Sequence, residues 1–346
     1  MWQTEKIKYT HMKKLFLIPA LFATLSLSAQ TNIDVAKNQA FELARKGDYA
    51  KAIDVLTKAE QSAPGNIVLL KDIAYYNYAK GDYDKAIEHG NKLVKRDDAD
   101  EQVYQILGSA YRNNKKYEES ENIYGEGIAK FPKSAVLYAE LGTTYADNNK
   151  ASEAIAVWEK GVKIDPNISN NYYYLAKAFA KNLNPLKSIL NAETFVNMEN
   201  KTQRTVEMRT LLLEQYKTLF SNASYINRYS NGRNEFEKEV AASYRKFASV
   251  VAGGVNAETL SALRGQFIVD WFQQNKDQKF PFALFDRNRQ MLRSGIFDAY
   301  NRWLFSSMSP EQFRTWGKTN EGQMSEFMRY FNASILKFPE GGQIYF

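Results

Sequence analysis

One period, about 34 residues long, governs the first part of this chain and limits what it can fold into. Gly47, Tyr49 and Ala52 in the segment GDYAKAI return as Gly81, Tyr83 and Ala86 in GDYDKAI; the next step of the same size leads to Lys115, Tyr117 and Ser120, and the one after it to Asn149, Ala151 and Ala154. A repeat of this length is one supersecondary unit that cannot bury its apolar face alone, so neighbouring units must stack and share a continuous core.

The first half of each unit keeps the same register. Tyr104-x2-Leu107-Gly108-x2-Tyr111 is matched by Tyr138-x2-Leu141-Gly142-x2-Tyr145, and Pro64, Pro132 and Pro166 close units at the expected place. With tyrosine in place of the leading tryptophan, this pattern resembles the tetratricopeptide-repeat family. The resemblance implies an all-α fold, a superhelix of αα-hairpins, with full units starting near Ile33, Ile67, Glu101 and Ala135 (33–66, 67–100, 101–134 and 135–168). A degenerate fifth unit is expected over 169–200: Tyr172, Leu175, Ala176 and Phe179 suit its first helix, but the turn and second helix lack the glycine and alanine of the others. Small residues at Ala74, Gly108, Gly142 and Ala176 let the first helix approach its partner, while Leu107, Tyr111, Leu141, Tyr145 and Trp158 fill the seam.

Beyond the array (31–200), residues 201–346 form a C-terminal all-helical domain of no assigned family. Val206 to Phe220 suit one helix and Phe236 to Val251 a second. Gly253-Gly254 breaks the chain and Asn256 caps a third helix, which runs through Phe267 and Trp271. A fourth, starting near Pro281, carries Phe285, Met291, Ile296 and Tyr300. Ser309-Pro310-Glu311-Gln312 predicts a helix start with a serine cap and a glutamine completing a capping box. The cation type shifts at this boundary from mostly lysine to mostly arginine, and the basic excess lies after residue 200 (20 Lys/Arg against 14 Asp/Glu).

Residues 1–29 carry an address. Met12-Lys13-Lys14, the apolar run Leu15 to Leu27 and the small residues Ser28-Ala29 make a signal peptide over 12–29, with residues 1–11 an upstream extension. The run is short for a bilayer span, which predicts cleavage near Ala29, no transmembrane span afterwards, and an exported bacterial protein, periplasmic or secreted. The chain has no cysteine, which suits such a compartment.

After the leader the only histidine is His89, read as a helix-surface residue, and there is no cysteine, which argues against a Ser-His-Asp triad, a Cys-His pair and a thiolate or histidine-rich metal site. Asp97, Asp98, Asp100 and Glu101 lack the spacing of a calcium loop and suit a helix start. No catalytic residue, metal or cofactor is expected. Nucleic acid is disfavoured by a diffuse basic excess.

What remains is a non-catalytic protein–protein interaction scaffold of the cell envelope, taking a peptide segment or partner protein. In the family resembled, partners lie along the concave face against first-helix residues that point away from the seam. Carried onto this register, the resemblance names Lys37 and Phe41 in unit one, Lys71, Tyr75 and Tyr78 in unit two, Gln105, Ser109 and Arg112 in unit three, and Tyr173, Tyr174 and Lys177 in unit five. Unit four offers Ala139, Glu140 and Thr143. The lysine and asparagine clamp of chaperone-binding members is not reproduced: Lys37 matches, but Phe41 and Asp72 replace asparagines and Gln102 and Ile106 replace cations. Two alternatives stand beside this reading. One is a glycan-associated protein stacking sugars on C-terminal aromatics such as Trp271, Trp303, Phe305, Trp316 and Phe331; the other is a hydrolase built from carboxylates alone.

Overall fold

The computed structural model describes residues 18–339 together with 342, 344 and 345, so the expected leader lies partly outside the described residues. Among the described residues the regular structure is all helical, and no helix is long and apolar enough to cross a membrane. Two compact units divide the chain at residue 124.

The first unit holds α1 (Ile18–Arg45), α2 (Tyr49–Ser62), α3 (Ile67–Lys80), α4 (Tyr83–Leu93), α5 (Glu101–Asn113) and the start of α6 (Tyr117–Lys130). Short polar residues begin its helices: the Asn66 side chain accepts from the backbone N–H of Val68 and Leu69, and Asp100 from that of Val103. Gly81, at φ +86°, ends α3 in the left-handed region that favours glycine. Ala40, Ala52, Leu56, Leu69 and Ile73 form the first shared core, and Leu93, Val103 and Ile106 belong to the next.

Close approach explains the small residues. A Cβ on Gly108 would lie 2.4–2.7 Å from the Tyr124 ring, and one on Gly90 would lie 2.9 Å from Leu107. Ser120, standing where other units have alanine, donates to the Gly108 carbonyl at 2.9 Å.

The second unit continues with α7 (Ala135–Asp147), α8 (Ala151–Ile164), α9 (Ser169–Lys181) and α10 (Pro185–Met198). Trp158 sits under Gly142, its Nε1–H donating to the Ala139 carbonyl at 3.0 Å. The fifth hairpin closes as the third does: Ser188 donates to the Ala176 carbonyl at 2.8 Å, serving where alanine was missed. Next comes α11 (Gln203–Ser221), which starts one repeat period after α9 and so stands as a further first helix.

Every residue of α10 except Lys187 is buried. It is enclosed by α9 and α11 and, from the remainder of the chain, by α13 (Glu235–Lys246) and α16 (Ala283–Arg293). The other elements are α12 (Ala223–Asn227), α14 (Ala257–Gln273), α15 (Lys276–Lys279), α17 (Phe297–Leu304), α18 (Pro310–Thr319) and α19 (Glu321–Ala333). Two local expectations change. The single helix expected to carry Phe285 through Tyr300 is two, because Gly295 at φ +73° turns the chain between α16 and α17. Pro310 does open α18, but Ser309 makes no side-chain cap hydrogen bond, so the capping box is absent.

Polar groups on α10 need partners once buried. Glu193 Oε1 accepts from the Arg264 guanidinium, from Asn288 Nδ2 at 3.0 Å and from the Tyr300 hydroxyl at 3.1 Å. Arg264 also donates to Asn301, with the rings of Phe297, Tyr300 and Phe305 each 5.5 Å from its guanidinium carbon. The pair is buried and its partners hold it in place, so Glu193 serves as a packing carboxylate.

Candidate binding face

Helical spacing of i, i+4 and i+7 sets the expected residues on one side of each first helix. In the first unit these are Lys37 and Phe41 on α1; Lys71, Tyr75 and Tyr78 on α3; and Gln105, Ser109 and Arg112 on α5. The structure joins the rows laterally. Lys37 Nζ lies 3.7 Å from Asp72 of α3, and Asn113 of α5 donates to the Tyr78 hydroxyl at 3.2 Å. Burial pushes the Asp72 carboxyl up, against the pull of Lys37 and Lys71.

Members of this set differ in availability. Lys71 has only 12% of its side chain exposed and pairs with Asp100, the cap of α5, so it ties α3 to α5. Ser109 Oγ lies 2.9 Å from the Tyr124 hydroxyl and belongs to the seam. Gln105 and Arg112 are half-buried. Phe41, 56% exposed, and Tyr75, 45% exposed, are the large aromatics facing solvent. Tyr75 leads into an aromatic ladder, with Tyr78 at 6.5 Å and Tyr83 a further 5.9 Å on. Asn113 is the member the sequence reading missed. It is exposed, its amide bonds both Tyr78 and the Ser109 carbonyl, and its adjacency to Arg112 in sequence was the available signal.

The second unit treats its residues differently. Tyr173 is only 8% exposed: its hydroxyl donates to Glu207 of α11 at 2.6 Å and accepts from Lys177 at 3.3 Å, and the Arg204 guanidinium lies over its ring at 5.1 Å. Lys177 pairs with Glu207 at 2.8 Å. Tyr174 stacks on Trp158 at 5.2 Å. Because α11 follows α9 at the repeat spacing, Tyr173 and Lys177 meet a neighbouring first helix, while Tyr174 meets α8. Of unit four's residues, Ala139 is buried while Glu140 and Thr143 are half-buried.

The features behind the two alternatives are also placed. Trp271, Phe305 and Phe331 are buried in the core, and Trp303 and Trp316 are half-buried. The open groove of about 740 Å³ beside α14 is lined by Glu258, Asp270 and Asp298 among others, but Asp270 is bonded to Lys246 and Ser243, and Asp298 to Ser261. Among the described residues no group of three or more histidines or carboxylates could hold a metal.

Hairpins with a glycine of one helix seated on an aromatic of the next, recurring at a constant period, are matched by family models of the tetratricopeptide repeat over residues 43–110, 101–129 and 135–168. Residues 43–129 and 135–168 are tetratricopeptide repeats. Repeats of this family serve as protein-binding scaffolds, generally without catalysis, and protein–protein interaction is the function class of this tetratricopeptide-repeat chain. Similar solved structures include TTC0263, a thermophilic TPR protein of Thermus thermophilus, at 18% identity, covering 54% of this chain and 99% of that one with a TM-score of 0.46. Pseudomonas aeruginosa pilF shares 17% identity over 61% of this chain and 97% of its own, with a TM-score of 0.47. YrrB, described as a TPR protein with an unusual peptide-binding site, shares 12% identity over 54% and 97%, with a TM-score of 0.37. No curated protein matches the sequence.

Proposed function

We propose that the protein is an exported scaffold of a bacterial cell envelope, delivered by the leader over 12–29, and that the first-helix face of its first unit holds a peptide segment or partner protein. The observation that carries this is the exposure of Phe41 and Tyr75 on one run of first helices, at a repeat position where the second unit instead has Lys177, paired with Glu207 of a neighbouring helix. A large aromatic is a strong anchor, giving area and, for tyrosine, a polar tip at low entropic cost. Lys37, Tyr78, Asn113 and Arg112 surround these anchors with hydrogen-bonding groups suited to a peptide backbone or a polar rim.

The test uses the full chain. A random peptide library is selected on the purified protein, and the selected peptides are titrated against Phe41→Ala, Tyr75→Ala and Tyr173→Ala. Loss of an interface aromatic costs about 2 kcal/mol or more, roughly thirtyfold in affinity. The first two variants should show it, and Tyr173→Ala should leave binding within about twofold in any variant that keeps its fold. Peptides bound equally well by both Phe41→Ala and Tyr75→Ala would refute the assignment of this face. Export is tested separately, by N-terminal sequencing of the mature protein from a bacterial envelope fraction; an intact 1–29 segment would refute it.

A further inference from the structure

The residues after α19 lie in the second unit without regular secondary structure, opening on an extended Ser334, and their burial alternates with a two-residue period. Ser334, Ile335 and Lys337 are exposed, while Leu336 and Phe338 are buried. Two sockets therefore receive this segment, and its other side chains face outward, the alternation expected of an extended peptide.

Its backbone is read as well. The side-chain amide of Asn167 grips Phe338 at both ends, Oδ1 accepting from its N–H at 2.9 Å and Nδ2 donating to its carbonyl at 3.2 Å. The Leu336 N–H donates to the Asn197 carbonyl at the end of α10, at 2.8 Å. Arg287 donates to the Ser334 carbonyl at 2.8 Å and to Asn197 Oδ1 at 2.9 Å. The Phe338 ring stacks on Tyr172 at 6.0 Å and 9°, with Phe282 also at 6.0 Å. Main-chain hydrogen bonds combined with pockets for alternate side chains are how proteins take up extended peptides.

We propose that this channel is a second peptide-binding site, occupied in cis by residues 334–338, and that it takes in trans an extended partner segment bearing an apolar residue followed two positions later by an aromatic one. It is independent of the face assigned to the first unit. The occupant's chemistry is fixed by what the channel holds: two side chains and the backbone groups between them, with nothing read from positions 335 and 337. The tail is also an incomplete occupant. The Tyr172 hydroxyl is buried without a hydrogen-bond partner among the described residues, and a phenyl ring stacked on it supplies no acceptor. A partner whose aromatic carries a hydroxyl or ring nitrogen has a donor waiting for it there. Among the described residues, release parts the contacts of 334–338, Ile344 and Tyr345, whereas α19 has its own anchors in the buried Phe327 and Phe331.

The probe is a fluorescent peptide of residues 333–339, titrated by anisotropy into the full-length wild type and into full-length Leu336→Ala/Phe338→Ala. The variant should bind it saturably and at least about tenfold more tightly than the wild type, whose channel is filled. The Phe338→Ala peptide should bind about thirtyfold more weakly. A folded variant that ignores the wild-type peptide overturns the proposal. Native-state hydrogen exchange on the unaltered chain decides the matter without any variant: the amides of Leu336 and Phe338 should exchange at least about a hundredfold faster than those in the middle of α10. Exchange at the same rate as α10 would mean that the segment leaves only on global unfolding, and the site would be no site. A wild-type chain that dimerises with concentration, and loses this on Phe338→Ala, would also overturn the assignment, because the occupant would then be a second copy.

Discussion

Five backbone positions, each one repeat period from the next, lie in the left-handed region: Gly47 at φ +81°, Gly81 at +86°, Lys115 at +60°, Asn149 at +60° and Leu183 at +51°. The repeat thus imposes a conformation that three of its units meet without glycine, and substitution along the series should follow the conformational cost. A residue other than glycine costs about 1–2 kcal/mol there, whereas glycine loses about 0.5–1 kcal/mol more chain entropy on folding. Nothing lies within 4 Å of a Cβ built on Gly81, so Gly81→Ala is purely conformational and should destabilise by about 1 kcal/mol. Lys115 is exposed, so Lys115→Gly should stabilise by about 0.5–1 kcal/mol. Leu183 is 57% exposed and gives up part of a side chain worth about 1.5–3 kcal/mol when fully buried, so Leu183→Gly should come out near zero. Asn149→Gly should move little, because asparagine tolerates this region. Urea unfolding followed by far-UV circular dichroism measures the first-unit changes, and fluorescence of Trp158, Trp271, Trp303 and Trp316 those in the second, with the m-value held constant across the set. A neutral Gly81→Ala together with a destabilising Lys115→Gly would refute the reasoning, since the order would then be set by something other than backbone conformation.

Three further outcomes follow from the packing. Glu193→Gln leaves Arg264 charged and buried without its carboxylate and should cost about 3–5 kcal/mol, while Glu193→Gln/Arg264→Met should recover at least about 2 kcal/mol of it in a double-mutant cycle. Gly142→Ala places a methyl 2.3 Å from Trp158 Nε1 and should cost about 1–3 kcal/mol, with a red-shifted Trp158 emission, and less than additively when combined with Trp158→Leu. Burial alone would raise the Asp270 carboxyl, but the hydrogen bonds from Lys246 and Ser243 outweigh it and hold the group below the usual carboxylate range. Its folded pKa is below its unfolded one, so its stabilisation is present above about pH 4 and lost as pH falls through the folded value. Asp270→Asn should therefore flatten the acid limb of a stability–pH curve, and an unchanged limb would count against the assignment.

The hairpins were legible because their determinants are local: a turn, a small residue and a large one recurring at fixed distance. Helix α11 was not, although it begins at the next step of the period. Where α5, α7 and α9 put Leu107, Leu141 and Leu175 into the seam, α11 has Arg209. Its guanidinium lies 4.3 Å from the Trp303 ring centre and bonds the carbonyls of Trp303 and Leu304 at the end of α17. The helix keeps the backbone period while its side chains answer to a partner far along the chain, which no periodicity within the repeat reveals. The same holds for the binding face. The sequence names which residues share a helix side, but whether Lys71 or Tyr75 faces solvent depends on Asp100 arriving from the next repeat to take the lysine. Exposure is a property of neighbours, and spacing alone cannot report it.

The near-complete burial of α10 bears on how this protein can change over generations. Repeat arrays ordinarily lengthen or shorten by whole units, since each unit touches only those beside it. A helix so enclosed has no interchangeable neighbour: deleting the hairpin that contains it would strip Arg264, Tyr300 and Arg287 of the partners they find in Glu193 and Asn197. Gain or loss of a unit should therefore cost least stability in the stretch before α9, where hairpins lack such buried polar ties to the rest of the chain.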